Sequence, residues 1–482
     1  MDKQLTKLQM WLILFNVSVS IFMATLDGSI VNIALPIISK ELRVTISSIQ
    51  WVVTSYLLTI SVLLLIWGKL SDLYGKKKIF TFGFIIFTIG SALCGISKNL
   101  ELLVFSRIFQ AVGASATMAL GMGIITRVFP PGERGKALGI AGTTVAVGSL
   151  VGPSLGGILV HAYGWQSIFF INVPIGILGT ILTLAIIPEI HDASGVRVFD
   201  LKGSVLFSAS ILLLFVGLLF VQEGKLPPML FVLMFLSAVT AFFIFIRLEQ
   251  RADNPLINLS LFKIPEFSLG LSSAFLSFVA IFASLLFMPF YLQYALRLNT
   301  LSAGLIISFY PMTAAIVAPI SGWLSDKITY RPLTVAGLGI STLVLLKLAV
   351  LNTSSSHAEI ALLMALLGAG ISIFQSPNNS SIMGSVPKEQ LGVAGGINAL
   401  FRNLGMVSGA TLSVLIFSFT TKLNINSLTG GVSTDAVLFL KGYRVVLVFA
   451  ALSCLVAVVI SLTRAIGVVP TGCLESRPRP DN

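Results

Sequence analysis

One five-residue phrase occurs twice in this chain of 482 residues with a single difference, as Gly68-Lys69-Leu70-Ser71-Asp72 and as Gly322-Trp323-Leu324-Ser325-Asp326. Each copy closes an apolar segment and precedes a basic one. A second pair keeps nearly the same offset, Pro131-Gly132-Glu133-Arg134-Gly135 and Pro387-Lys388-Glu389-Gln390-Leu391-Gly392, and both members precede a glycine-rich apolar segment. The chain is therefore a duplication, and the sequence predicts two structurally similar halves.

The composition around these repeats is that of a membrane protein. Apolar residues make up 56% of the chain and charged residues 10%, whereas a soluble domain carries about 25% charged residues. We predict an all-α integral membrane protein with fourteen spans of the ~20 residues that cross a bilayer core. The spans fall roughly at 10–34, 48–69, 79–97, 101–125, 136–160, 166–187, 201–221, 228–247, 267–294, 301–325, 333–351, 358–384, 391–418 and 443–464.

The distance between the repeats predicts a 6 + 2 + 6 arrangement of helices. The two phrases begin 254 residues apart, while six spans with short loops need only ~190–200 residues. The excess matches two further helices, which we interpret as a lipid-facing spacer. The predicted units are an N-terminal six-helix bundle (1–187), a linker with the two-helix insert (188–260), a C-terminal six-helix bundle (261–464) and a cytoplasmic tail (465–482).

Lysine and arginine predict the orientation. With an internal N-terminus, 20 of the 31 basic residues fall in segments placed inside and 8 in segments placed outside. We therefore expect both termini in the cytoplasm and a location in the plasma membrane of a bacterium. The net charge of +12 suits anionic lipid and requires no nucleic-acid partner. We expect no metal site and no cofactor, and a monomer is compatible with the sequence.

Asp27 is the only carboxylate well inside a span. An acid there is costly unless it is protonated, paired or facing a cavity, and intramembrane ionisable groups are functional by default. At 1.5 Å per residue, Asp27 lies ~10–12 Å and Arg107 ~9 Å below the same surface. We predict that the two residues pair and couple transport to protons. The alternatives are a structural acid at Asp27 and snorkelling by Arg107.

Two glycine patterns predict parts that move. Small residues in the fifth span let a neighbouring backbone approach closely, and a proline there bends the helix. The residues of this segment are Gly148, Gly152, Pro153, Gly156 and Gly157. The repeated phrase and the turn after it predict a conformational latch, made of Gly68, Asp72, Gly75, Lys76 and Asp326.

Further polar and aromatic side chains fall in spans that we expect to line a central cavity. Aromatic walls suit flat apolar cations, although lipid contact is the alternative for rings, and helix bonding is the alternative for amides and arginine. The residues predicted to line the substrate cavity are Asn32, Trp51, Thr54, Tyr56, Gln110, Tyr291, Tyr294, Phe309, Tyr310, Gln375, Asn379 and Arg402.

Over nearly its whole length the chain resembles the fourteen-helix drug:proton antiporter family of the major facilitator superfamily. Residues 68–78 are similar to the superfamily's loop 2–3 motif, and residues 107–113 to its helix 4 motif, whose arginine is tied to proton coupling. Residues 148–157 resemble the helix 5 motif that is characteristic of exporters. Residues 26–36 and 50–56 resemble the helix 1 and helix 2 sequences of the fourteen-helix family.

The sequence also departs from these motifs. Leu73 stands where the loop motif usually has arginine, and Ala111 replaces a common glycine of the helix 4 motif. Thr54 occupies a position where some multidrug members with divalent cationic substrates carry an acid. Because the C-terminal half has no acid deep in a span, a lipophilic monocation, a neutral drug and a zwitterionic drug all remain open as substrates.

The resemblance implies a major facilitator fold that exports lipophilic, cationic drugs or toxic compounds in exchange for protons. Two bundles would rock around a central site, with a small-molecule substrate, protons and membrane lipids as the partners. Export of an endogenous lipid, peptide or siderophore is the alternative within transport. A membrane-embedded enzyme is disfavoured, because no Ser/His/Asp or metal constellation appears, and a channel fits the repeated bundle less well than alternating access.

Overall fold

The computed structural model describes residues 6–130, 133–189, 200–222, 226–252, 255–387, 390–421 and 433–464. The regular structure of this part is entirely helical, and the helices α1 to α16 follow in chain order. They are Lys7–Leu42, Ile46–Ile49, Trp51–Tyr74, Lys76–Gly95, Leu100–Val128, Arg134–Tyr163, Ser167–Phe170, Asn172–Ile186, Leu201–Gln222, Pro228–Glu249, Pro265–Phe290, Thr300–Ile328, Tyr330–Ala349, His357–Gly384, Leu391–Thr421 and Ser433–Thr463.

The predicted membrane spans correspond to these helices. Thirteen described helices are long and apolar enough to cross a membrane, with α2–α3 and α7–α8 each forming one span. Helix α6 is the fourteenth, and its segment Leu150–Tyr163 is a shorter apolar helix among the described residues. The all-α fold with its predicted order of spans is therefore confirmed.

Helix α1 is longer than the predicted span 10–34 because both of its ends are fixed by capping. At its start Thr6 and Gln9 form a capping box, in which each side chain accepts a hydrogen bond from the other's backbone N–H. The helix ends at Arg43, which adopts a left-handed conformation with φ of 54°. Hydropathy located only the apolar middle of this helix, since its last turn is polar.

The two halves each form a bundle. In the N-terminal bundle α1 packs on α5, α6 and α8, while α5 packs on α3 and α4. In the C-terminal bundle α11 packs on α15 and α16, while α14 packs on α12 and α13. The bundles meet where α6 contacts α12 and where α3 contacts α15.

The two inserted helices differ in their surroundings. Helix α10 packs mainly on α9 and exposes apolar side chains such as Met229, Leu233 and Phe243. Helix α9 contacts both α3 and α15, and its Phe220 packs on Trp51 at 5.6 Å between ring centroids. The interpretation as a lipid-facing spacer is therefore too simple for α9, which lies against the junction of the two bundles.

We call the end of the molecule where α1 begins and where Gly75 joins α3 to α4 the basic end, and the other the opposite end. Four hydrogen bonds between the two bundles lie in the half of the molecule toward the opposite end. They are Ser47 Oγ with Ser418 Oγ (3.3 Å), Ser154 Oγ with Ser308 Oγ (2.5 Å), Gln293 Nε2 to Ile33 O (3.1 Å) and Tyr294 OH to Pro36 O (3.1 Å).

Candidate functional site

A buried ion pair lies inside the N-terminal bundle. The Asp27 side chain on α1 is 0% exposed, and the Nη1 atom of Arg107 on α5 lies 2.6 Å from Asp27 Oδ2. The structure thus joins the two side chains that the sequence placed at one depth. Arg107 does not snorkel, since the whole residue is 1% exposed.

Two amides complete the surroundings of the carboxylate. Gln110 Nε2 donates to Asp27 Oδ1 at 2.9 Å, and Asn172 Nδ2 on α8 donates to the same oxygen at 3.1 Å. Gln110 also donates to Ser91 Oγ on α4 and accepts a bond from Arg107 Nη1 at 2.6 Å. Asp27 therefore receives three hydrogen bonds and presents no surface to a cavity.

Helix α3 holds the other side of the guanidinium. Arg107 Nε donates to Val52 O at 3.1 Å, and Arg107 Cζ lies 3.9 Å from the centroid of the Tyr56 ring. A cation over an aromatic face is stabilised by the ring quadrupole. We call Asp27, Tyr56, Arg107, Gln110 and Asn172 the Asp27 cluster. Tyr56 and Gln110 belong to this cluster rather than to a cavity wall.

The Asp27 cluster connects a single protonation event to the packing of several helices. Adding a proton to Asp27 would remove the negative charge that Arg107 neutralises, and breaking a buried pair costs several kcal/mol. Helices α1, α3, α5 and α8 all supply a partner, so their relative positions depend on whether the carboxylate is charged. The cluster therefore links the charge of one carboxylate to the packing of four helices.

Helix α6 brings α1 and α12 into close contact through its glycines. A Cβ on Gly152 would overlap Ser29 Oγ of α1, and a Cβ on Gly157 would lie 2.9 Å from Thr300 O of α12. Ser29 Oγ also donates to Gly148 O at 3.3 Å. The glycine-rich segment thus packs both within its own bundle and across the junction to the other.

Several aromatic residues predicted to line a cavity lie elsewhere. Trp51 packs against α9, as described above. Tyr291 is 0% exposed, donates its hydroxyl to Asn352 O at 2.7 Å and stacks on Tyr443 at 4.9 Å. Phe309 is 40% exposed, on the same outward stripe of α12 as Leu305. Trp51 thus faces the inserted helix α9, Tyr291 faces the inside of the C-terminal bundle, and Phe309 lies on the exposed surface of α12.

The remaining predicted cavity residues fall into two groups. Thr54 is 0% exposed and accepts a bond from Gln50 Nε2, and Tyr294 closes the opposite end. Asn32 is 8% exposed, and its Oδ1 atom has no partner among the described residues. The other group lies in the C-terminal bundle, where Tyr310, Gln375 and Arg402 are half-buried and Asn379 is exposed.

The predicted latch is described only in part. Gly75 adopts a φ of 93°, which favours glycine at the turn between α3 and α4. Gly68 is half-buried and has room around it, since an added Cβ would have no neighbour within 4 Å. Lys76 opens α4. The side chains of Asp72 and Asp326 lie outside the described residues.

The sequence profile of the Major Facilitator Superfamily matches residues 17–410. The chain belongs to this superfamily. The fold agrees, because a solved bacterial homolog of the human lysosomal transporter Spinster, in an inward-facing and unoccupied conformation, superposes with a TM-score of 0.68. That match covers 95% of this chain and 97% of the other chain at 16% identity, and it shows the fold alone.

The curated relatives in the superfamily carry names of transporters with different substrates. The chain is 37% identical to the riboflavin transporter RibZ of Clostridioides difficile, over 86% of this chain and 90% of the relative. It is 32% identical to the multidrug resistance protein Stp of Mycobacterium tuberculosis, over 83% and 74%. It is 31% identical to the tetracenomycin C resistance and export protein of Streptomyces glaucescens, over 85% and 76%. All three are transport or resistance proteins by name, and none is named as an enzyme.

Two polar contributors to this major facilitator protein were missed from sequence. Asn172, which completes the Asp27 cluster, stands as an isolated amide in the apolar span 166–187, and that isolation was the available signal. Arg464 was grouped with the end of the last span, yet it is 1% exposed and bonds Asn378 Oδ1 at 2.5 Å and Ser381 Oγ at 2.8 Å. It ties the end of α16 to α14.

The histidines and cysteines outside the Asp27 cluster are scattered. Among the described residues, no group of three or more His, Cys, Asp or Glu side chains is arranged to hold a metal ion. Cys94 and Cys454 are free and buried. His161 and His357 are exposed, and His191 lies outside the described residues.

Proposed function

We propose that this protein is a proton-coupled antiporter that exports lipophilic drugs or toxic compounds across the cytoplasmic membrane. The observation that carries the proposal is the Asp27 cluster, a single buried carboxylate held by one arginine and two amides. Intramembrane acids of this kind mark proton relays in pumps and transporters. Relatives named for multidrug resistance and antibiotic export support the direction of transport.

The mechanism follows from the charge balance of the cluster. When Asp27 is ionised, Arg107 is neutralised and α1 is held to α5. When Asp27 takes a proton, Arg107 keeps its bond to Val52 O on α3, and its attraction to α1 weakens. This change releases α1 and the glycine-rich face of α6, so the bundles 1–187 and 261–464 rock between two orientations.

The proposal assigns the sides of the membrane from the distribution of charge. The basic end faces the cytoplasm, where both termini lie, because positive loops are retained inside. The four hydrogen bonds between the bundles then close the external side. Residues Gly68, Asp72, Gly75, Lys76 and Asp326 form the cytoplasmic latch, which would close when the external side opens.

The test uses purified protein in liposomes with an imposed pH gradient. Ethidium and riboflavin serve as fluorescent probes, and proton movement is followed with a pH-sensitive dye. We expect the wild type to move protons when a probe is added and to accumulate that probe against its gradient. Asp27→Asn should lose both, because an amide, unlike a carboxylate, does not take up and release a proton as an acid–base group at working pH.

The matched control is Glu101→Gln, which also converts a carboxylate to an amide but at an exposed position in the first turn of α5. It should transport like the wild type. Full probe-dependent proton flux in Asp27→Asn would refute Asp27 as the proton carrier. If neither ethidium nor riboflavin causes proton movement in the wild type, coupled export of such compounds is contradicted.

A second candidate, transport of a flavin, is favoured by the relative named as a riboflavin transporter, which matches at 37% identity over 86% of this chain. The same liposomes separate the two. Flux with riboflavin that unrelated aromatic drugs fail to compete for would favour a dedicated flavin carrier. Competition with riboflavin by many unrelated compounds, including endogenous lipids or peptides, would instead indicate a broad substrate range.

A further inference from the structure

A hydrogen bond between two asparagines fixes how α14 and α15 face each other. Asn398 Nδ2 on α15 donates to Asn379 Oδ1 on α14 at 3.1 Å. The two helices run in opposite directions, because α14 leads toward the basic end and α15 away from it. Residues four apart lie on one face of a helix. One turn nearer the opposite end, Gln375 on α14 and Arg402 on α15 therefore share a depth.

Both of these side chains have unused hydrogen-bonding groups. Gln375 and Arg402 are half-buried, and neither has a hydrogen-bond or ion-pair partner in the part of the chain that the structure describes. Gly396 lies on the side of α15 opposite Asn398, and a Cβ there would be near Leu65 of α3. The side of α15 that carries Asn398 and Arg402 is therefore turned toward α14 and the interior of the protein.

Among the described residues, no carboxylate forms an ion pair with Arg402. The acids of the C-terminal bundle sequence (261–464) all lie near the ends of the predicted spans or between them, and two more follow in the tail; they are Glu266, Asp326, Glu359, Glu389, Asp435, Glu475 and Asp481. In the N-terminal half the one acid deep in a span, Asp27, is 0% exposed and fully engaged. An arginine inside a membrane protein faces a water-filled cavity and marks a substrate path when it has no internal partner.

We infer that Arg402 and Gln375 form a substrate subsite that binds a carboxylate or a ring carbonyl, so that the preferred substrates are anionic, zwitterionic or neutral rather than cationic. The guanidinium fork matches a carboxylate with two parallel hydrogen bonds, and the Gln375 amide adds a further donor. A lipophilic cation such as ethidium would meet the positive charge of Arg402 with no carboxylate among the described residues to offset it, so it would be carried with a higher KM. The inference rests on the proposed export function and names its substrate class.

Two dyes with one ring system provide the test. Rhodamine 110 carries a free carboxylate, and rhodamine 123 is its methyl ester and a cation, so they differ only at the group that Arg402 would bind. Proton-driven transport of each is measured in liposomes, with riboflavin as a neutral third probe. We expect the KM of the wild type for rhodamine 110 to be about 10- to 100-fold lower than for rhodamine 123, as for a charged hydrogen bond.

Variants then assign the preference to the subsite. Arg402→Gln should raise the KM for rhodamine 110 by about 10- to 100-fold. The KM for rhodamine 123 should change little. Gln375→Glu, which supplies the missing counter-charge, should reverse the preference between the dyes. The control Lys347→Gln removes a positive charge from an exposed position on α13 and should leave both KM values unchanged.

The outcomes separate this inference from the proposed function. Equal KM values for the two dyes in the wild type, or an unchanged KM for rhodamine 110 in Arg402→Gln, overturn the subsite while proton-coupled export stands. A preference for rhodamine 123 overturns it as well. If neither dye nor riboflavin drives proton movement, coupled export fails and the subsite fails with it.

Discussion

Replacing Arg107 by lysine keeps the positive charge of the Asp27 cluster but removes its geometry. An ammonium that reaches Asp27 cannot also supply the Nε–H bond to Val52 O, and it lacks the flat guanidinium that lies 3.9 Å from the Tyr56 ring centroid. A hydrogen bond to a charged group contributes about 1.5–3 kcal/mol, and a buried cation over a ring about 1–2 kcal/mol. Since the ammonium retains part of the second term, we expect Arg107→Lys to lower the free energy of unfolding by about 2–4 kcal/mol.

The assay is equilibrium unfolding in detergent micelles with increasing dodecyl sulfate, followed by tryptophan fluorescence. Arg444→Lys is the control, because Arg444 also donates its Nε to a backbone carbonyl, that of Ala349 at 3.3 Å, but is exposed. Its effect should stay within about 0.5 kcal/mol. If Arg107→Lys costs no more than Arg444→Lys, then the guanidinium geometry does not hold α3, α5 and α1 together as described.

Two further predictions concern the contacts of α6. The hydroxyls of Ser154 and Ser308 lie 2.5 Å apart, so the double variant Ser154→Cys/Ser308→Cys should form a disulfide when an oxidant is added. Transport should then stop until the disulfide is reduced. Full transport by the oxidised protein would contradict movement at the α6–α12 contact. Gly152→Ala should cost about 1–3 kcal/mol in the unfolding assay, because the new methyl group overlaps Ser29 Oγ. Gly339→Ala, where nothing lies within 4 Å, should cost nothing, and equal effects at the two glycines would refute the close packing.

Depth in the membrane could be predicted from the sequence. A fixed rise per residue converts position along a span into distance from the surface, which is why Asp27 and Arg107 were expected to meet and do lie in contact. The spans themselves followed from the bilayer's demand for apolar segments of fixed length. The repeated phrase gave the two halves and the position of the insert.

The direction in which a side chain points could not be predicted in the same way. A helix between lipid and protein is apolar on every face, so hydropathy does not say which face is buried. For this reason the sequence predicts Tyr291 and Trp51 in a cavity wall. In the structure Tyr291 stacks on Tyr443, and Trp51 packs on Phe220. Asn172 was overlooked because one amide in an apolar span can equally well bond a neighbouring backbone.

The contacts between the bundles at the opposite end have an energetic consequence. The four described hydrogen bonds there use hydroxyls, one amide and backbone carbonyls, all of them uncharged groups. At about 0.5–1.5 kcal/mol each, these hydrogen bonds contribute about 2–6 kcal/mol to closing the opposite end. One proton falling through about 150 mV releases about 3.5 kcal/mol, so the energy of these four bonds and the energy of one proton are of the same order.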